Sequence, residues 1–71
     1  MTVFEIKRHI QDKIKPFRFR YELDAHTNQY YFILYNTKLN SCFVGIPKSI
    51  MNNEKLIRNK LKILKEKYEN L

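Results

Sequence analysis

An unbroken alternation of apolar and charged residues runs through FRFRYELD, residues 17–24. Its apolar side chains fall on one side of an extended chain, and its charged side chains fall on the other. A period of two predicts a strand with one buried face. The fold must therefore include a sheet, and another layer must cover the apolar side of that sheet. The charged side could face water or a negatively charged partner.

Two further apolar runs predict the other strands of this sheet. QYYFILYN at 29–36 and SCFVGIP at 41–47 are rich in aromatic and β-branched residues, as strands are. The segments that precede them, 24–29 and 36–40, have the Asp, Asn and Thr content of turns. Because both connections are short, they predict hairpins. The first strand is predicted over residues 17–23. The sheet is expected to be an antiparallel meander with the second strand in the middle.

A helix is predicted over residues 2–15, before the sheet. Thr2 and Glu5 have the spacing of a capping box. Pro16 ends the helix, and the residue before a proline, Lys15, is expected to be extended. One apolar stripe at helical spacing comprises Val3, Ile6, Ile10 and Ile14.

A second helix is predicted from about residue 52 to residue 69, with Asn52 or Asn53 as its N-cap. Its apolar stripe comprises Ile57, Leu61, Leu64 and Tyr68. The expected fold class is α+β: a single small domain, residues 1–71, in the order α-β-β-β-α, with a three-stranded antiparallel meander packed against two helices. Five Tyr and five Phe with a single Gly favour a globular chain over a disordered one.

The formal net charge of +7 points to an acidic partner, which could be nucleic acid, an anionic membrane or an acidic protein. Seven of the fourteen basic residues lie in 48–71, with three acidic ones. Abundant Lys, Asn, Ile and Tyr are also what an AT-rich gene encodes, which suggests a phage or mobile element of a low-GC bacterium. Part of the charge could then reflect codon usage.

The alternation divides the sheet into two faces. We assign these residues to the core face: Phe17, Phe19, Tyr21, Leu23, Tyr30, Phe32, Leu34, Cys42, Val44 and Ile46. The second face carries Arg18, Arg20, Glu22, Tyr31, Ile33, Tyr35 and Phe43. If both helices pack on the core face, this second face is uncovered, and it is more apolar than a surface without a binding role usually is. Alternatively, one helix covers each face, or the second face is a homodimer interface.

Two binding roles are open to an uncovered second face. Stacking and phosphate contacts with nucleic acid would use Arg18, Arg20, Tyr31 and Tyr35. A protein interface would instead use Tyr31, Ile33, Tyr35 and Phe43 as its anchors.

Four basic residues of the second predicted helix cluster within an arc of about 80° at 100° per residue. This basic ridge comprises Lys55, Arg58, Lys62 and Lys65. It could track phosphates, each contact adding affinity by counterion release. The alternative is an ordinary solvated lysine face.

The residues for catalysis or metal binding are scarce, so we expect no enzyme, no catalytic residues, no metal and no cofactor. One glycine rules out a phosphate-binding glycine loop. His9, His26 and Cys42 have no metal-site spacing. We expect His9 to be exposed and Cys42 to be a small buried hydrophobe. A single cysteine suggests a reducing compartment, and no signal peptide or membrane span is expected, so a cytoplasmic location is predicted.

The α-β-β-β-α order resembles that of double-stranded-RNA-binding domains, in which a basic stretch at the start of the second helix would correspond to Lys48 and Lys55. Their glycine-rich and Lys-Lys-x-Ala-Lys-like signatures are absent. The order also resembles that of Hic-type RNA-cleaving toxins, with His26 in the place of their histidine but without its Gly-Ser-His context. A meander followed by a helix is similar to arm-type DNA-binding domains of phage integrases.

These observations favour a small, basic, non-enzymatic nucleic-acid-binding module, for DNA or RNA. The alternative is a protein-interaction module, such as a phage-type inhibitor or an adaptor that binds a host enzyme or nucleoprotein. The second face could also form a homodimer, and no membrane partner is expected.

Overall fold

The computed structural model describes residues 1–71. Its elements are α1 (Val3–His9), a π-helical turn (Ile10–Ile14), β1 (Arg18–Asp24), β2 (Gln29–Tyr35), β3 (Ser41–Pro47), a 3-10 turn (Lys48–Ile50) and α2 (Glu54–Glu69). The strands form one antiparallel sheet in the order β1-β2-β3. The predicted α-β-β-β-α meander is confirmed, and the 3-10 turn is an addition to it.

The core lies on one face of the sheet only. Helix residues such as Ile6 and Leu61 pack in one cluster with strand residues such as Phe32. The buried residues are Ile6, Ile10, Ile14, Phe32, Leu34, Ile46, Ile57, Leu61 and Leu64. Because both helices contribute to this one cluster, the alternative with one helix on each face is wrong.

Two residues assigned to the core face lie outside the core. Phe17 is 56% exposed and Leu23 is 48% exposed. Leu23 sits in the same cross-strand row as Ile46, which is fully buried. In this row burial therefore decreases from β3 to β1, because α2 packs on β3 and the helices cover β1 incompletely.

The N-terminus of α1 has the predicted capping box. The Thr2 hydroxyl accepts from the Glu5 N–H (3.1 Å), and the Glu5 carboxylate accepts from the Thr2 N–H (3.0 Å). The C-terminal end differs from the prediction, because the helix continues as a π-helical turn. Lys15 closes that turn in the left-handed region (φ 55°, ψ 55°), with its N–H donating to the Ile10 carbonyl (2.9 Å). The expectation that Lys15 is extended was therefore wrong.

Asn and Asp side chains fix the remaining connections. The Asp24 carboxylate accepts from the N–H groups of His26 (2.9 Å) and Thr27 (3.4 Å) in the first hairpin turn. Asn36 plays the same part in the second turn. Asn53 caps α2 by accepting from the Leu56 N–H (3.2 Å). These contacts hold the strands in register and set the direction in which α2 leaves the sheet.

Candidate functional site: an aromatic sheet face and a basic ridge

The second face of the sheet is uncovered, since both helices lie on the core face. Phe43 is 56% exposed on β3, and Arg18 and Arg20 are exposed on β1. Tyr31, Ile33 and Tyr35 are half-buried in the middle strand. The register places each of these β2 residues between a β1 and a β3 neighbour: Tyr31 between Glu22 and Gly45, Ile33 between Arg20 and Phe43, Tyr35 between Arg18 and Ser41.

Aromatic contacts order the β3 side of the second face. The rings of Tyr31 and Phe43 meet edge to face, with centroids 6.1 Å apart. Tyr31 leans over Gly45, where an added Cβ would lie 2.9 Å from its Cε1 atom. The absence of a side chain at Gly45 is therefore what lets the Tyr31 ring occupy this position.

The charge of the second face is partly neutralised within the face itself. Arg20 pairs with Glu22 at 3.3 Å, and both side chains are well exposed. Arg18 forms no ion pair. One guanidinium of the two is thus free for a partner, which leaves the face more aromatic than basic.

The basic ridge keeps its four residues exposed on α2, as the helical spacing predicts. Only Arg58 has a carboxylate partner, Glu54, at 3.5 Å between exposed side chains. Such a surface pair contributes little energy and can be displaced by another anion. The ridge therefore offers three unpaired ammonium groups and one weakly paired guanidinium.

Residues of the first helical segment extend the basic ridge. Burial lowers the pKa of His9, and the positive charges of Arg58, Lys13 and Lys65 lower it further. His9 is half-buried, so the expectation that it is exposed was wrong. Lys13, four residues after His9, acts on the imidazole from the same helical segment, whereas Arg58 and Lys65 act on it from α2, and Asp12 opposes them. Lys13 is not among the site residues predicted from the sequence. Periodicity within one helix gives no signal for such a neighbour from another helix.

The predicted nucleic-acid-binding residues are divided between two opposite surfaces. Arg18, Arg20, Tyr31 and Tyr35 lie on the second face. Lys55, Arg58, Lys62 and Lys65 lie on the helical layer, which covers the other side of the sheet. A straight duplex can contact one of these surfaces at a time but not both.

The side chains that could react or bind a metal lie apart from these surfaces. Cys42 is half-buried against the core, which raises the pKa of its thiol, rather than fully buried as expected. His26 is exposed in the first hairpin turn. No three His, Cys, Asp or Glu side chains come together as a metal-binding group. None of the helices is long and apolar enough to span a membrane.

Comparison of the chain with protein-family models, with curated proteins and with solved structures gives no match. The function proposed below therefore rests on the residues and geometry of this chain.

Proposed function

We propose that this chain binds nucleic acid through its basic ridge together with Lys13, contacting mainly the phosphate backbone. The surface is long and straight, because α2 carries its basic residues over more than two turns of one helix. Lys55, Arg58, Lys62 and Lys65 are all exposed there. Phosphate contacts position a protein on nucleic acid without reading its sequence, so we expect little base specificity from this surface.

The observation that carries the proposal is the convergence on His9 of positive charges from two helical segments. Lys13 follows α1, Arg58 and Lys65 belong to α2, and Asp12 is the one carboxylate that acts against them there. The only ion pair in the region is Arg58 with Glu54. Like charges that gather on a folded surface repel one another unless an anion joins them. A phosphate backbone supplies such anions at regular spacing.

The salt dependence of binding tests the number of phosphate contacts. Five contacts predict a slope of about −4.5 in log K against log salt for duplex DNA, which is a loss of roughly 500-fold between about 50 and 200 mM salt. Fluorescence anisotropy with labelled DNA and RNA duplexes and single strands measures this. Absence of binding at the lower salt concentration would exclude the proposal for this chain.

Matched charge reversals on α2 separate a specific surface from general attraction. The double variant Lys62→Glu/Lys65→Glu alters the ridge, and Lys60→Glu/Lys67→Glu makes the same change in net charge on the other flank. We expect the ridge variant to weaken binding by at least about tenfold more than its control. Equal losses would contradict a role for the ridge.

A protein partner is the second candidate, and the second face favours it. Phe43 is largely exposed beside Tyr31, while Arg20 is already paired with Glu22. Exposed aromatic anchors beside Arg are typical of protein interfaces. Tyr35 and Ile33 would complete the contact.

Sedimentation of wild type and a Phe43→Lys variant tests whether the partner is a second copy. A dimer that the variant loses would place Phe43 in a homodimer interface. A wild-type chain that stays monomeric would exclude this homodimer. A protein that co-purifies with wild type, but not with Phe43→Lys, would support a different protein as the partner.

A further inference from the structure

The outer edge of β3 has unpaired backbone groups. The Lys48 N–H donates to the Asn28 carbonyl and the Asn36 N–H donates to the Asn40 carbonyl, both at 3.0 Å, on either side of the β2–β3 ladder. Residue pairs across two antiparallel strands alternate between hydrogen-bonded and non-hydrogen-bonded pairs. The two bonds at the ends of the ladder therefore show which residue pairs between them are hydrogen-bonded. The N–H and C=O groups of Ser41, Phe43 and Gly45 therefore point away from β2 toward the outer edge.

This edge lacks the features with which proteins usually prevent strand addition. β3 contains no charged residue, and only Pro47 at its end lacks an N–H group. The opposite edge strand, β1, carries four charged residues, Arg18, Arg20, Glu22 and Asp24. Charged side chains on an edge strand disfavour pairing with another chain. The two edges of the sheet thus differ, and β3 is the open one.

Beside this edge, one flank of α2 forms a ledge, which comprises Leu56, Lys60, Ile63 and Lys67. A groove of about 290 Å³ separates the ledge from β3, lined by Phe43, Val44, Gly45, Lys60, Ile63 and Lys67. Ile63 is 51% exposed and Leu56 is 43% exposed, so neither is used by the core. No carboxylate lines the groove, and both of its charged residues are lysines.

We propose that the β3 edge and this ledge bind an extended acidic segment of another protein, which adds a fourth strand to the sheet. Main-chain hydrogen bonds to the edge would give affinity, and alternate side chains would give specificity, as in other cases of strand addition. Side chains on the helical side of the added strand meet Ile63 and the two lysines. Those on its other side lie next to Phe43.

The lysines select an acidic segment with a defined spacing. Lys60 and Lys67 are separated by a rise of about 10 Å along α2. Residues four apart in a strand are separated by about 13 Å, and flexible lysine side chains can span the difference. A Glu, an apolar residue and a second Glu at alternate positions would therefore face Lys60, Ile63 and Lys67.

Charge disfavours a second copy of this chain in the groove. Each copy carries +7, and edge-to-edge pairing would bring the lysine pairs of both ledges toward the same seam. The ledge is also on the other flank of α2 from the basic ridge. The inference therefore does not depend on nucleic-acid binding.

A short peptide of alternating pattern tests the proposal directly. The probe is Thr-Glu-Thr-Val-Thr-Glu-Thr with blocked ends, and its control replaces both Glu by Lys. Titration into the isotopically labelled chain, followed by NMR, should shift the amides of Ser41, Phe43 and Gly45. Hydrogen exchange of the Phe43 and Gly45 amides should slow by at least about threefold at saturation, because they become hydrogen-bonded. No shift at millimolar peptide would overturn the proposal.

Charge reversal of the ledge provides the matched test. In the Lys60→Glu/Lys67→Glu variant, the affinity for the acidic peptide should fall by at least about tenfold, and the variant should prefer the lysine peptide. The Lys62→Glu/Lys65→Glu variant should bind the acidic peptide as wild type does. Amide shifts at the β1 edge instead of β3, or equal binding by both double variants, would contradict the assignment. Self-association through β3 would show that the occupant is a second copy and would equally overturn it.

Discussion

The hydroxyl of Tyr68, in the last turn of α2, donates a hydrogen bond to the backbone carbonyl of Tyr35 at the end of β2 (3.3 Å). The same oxygen accepts from the N–H of Phe17 just before β1 (3.0 Å). One phenol therefore joins three segments that are far apart in the sequence. It ties α2 to the end of the sheet at which β1 begins.

Replacing Tyr68 by Phe should lower the free energy of unfolding by about 1 kcal/mol, because the Tyr35 carbonyl and the Phe17 N–H each lose a hydrogen bond. For a domain of this size, that corresponds to roughly 4–8 °C in melting temperature. Thermal unfolding followed by circular dichroism measures it. Tyr35→Phe is the control, since only the backbone of Tyr35 takes part. Equal losses in the two variants would contradict the bridging role of Tyr68.

A matched pair of leucines tests the unequal coverage of the core face. Leu34 is fully buried and Leu23 is 48% exposed, although both lie on that face. Leu34→Ala should cost about 2–5 kcal/mol, which is enough to unfold a marginally stable small domain. Leu23→Ala should cost less than about 1 kcal/mol. Urea unfolding of both variants measures the difference. A similar cost at both positions would mean that the helices cover β1 as well as β2.

These leucines also show how far the sequence determines the fold. Alternation predicts which face of a strand a residue occupies, and it placed Leu23 and Leu34 on the same face correctly. It contains no information on how far a helix reaches across the sheet, which depends on the packing of distant segments. Phe17 was misassigned for the same reason, since it lies just before β1 and the helices leave its side chain exposed.

The candidate sites show a similar division. Helical periodicity predicted that the four residues of the basic ridge share one flank of α2. It could not predict that His9 lies within reach of the charges of Arg58 and Lys65, because that depends on how two helices pack together. Nor could it predict that Arg20 is paired with Glu22, because both the free and the paired rotamers fit the same strand pattern.

His9 should make stability depend on pH. Burial, then the charges of Arg58, Lys13 and Lys65, lower its pKa in the folded chain, while Asp12 opposes them weakly. Below about pH 6.5 the unfolded chain therefore binds more protons at this position than the folded chain does. Its contribution is fully present above that pH and is lost as pH falls through the lowered folded-state pKa.

Urea midpoints at about pH 7.5 and 5.5 measure this dependence. Wild type should be less stable at the lower pH, and His9→Gln should remove much of the difference. The exposed His26 provides the control variant, His26→Gln, which should behave as wild type does. Added salt should reduce the loss only in part, because salt screens the cations but leaves the larger effect of burial. An unchanged pH dependence in His9→Gln would contradict this assignment.

The packing of Tyr31 over Gly45 predicts that Gly45→Ala destabilises the chain when Tyr31 is present and stabilises it when Tyr31 is replaced by Ala. A Cβ on Gly45 would lie 2.7 Å from the Gln29 side-chain oxygen and 2.9 Å from the Tyr31 ring. The Gln29 amide can rotate away at little cost, but the ring must leave its contact with Phe43. Gly45→Ala should therefore destabilise wild type by about 1–2 kcal/mol.

In a Tyr31→Ala background the same change should stabilise the chain by about 0.5–1 kcal/mol, since Ala loses less backbone entropy than Gly in a strand. A double-mutant cycle by urea unfolding gives the coupling between the two positions. If Gly45→Ala costs the same in both backgrounds, the Tyr31 ring does not rest on Gly45. The position of the Tyr31 ring would then depend on its contact with Phe43 alone.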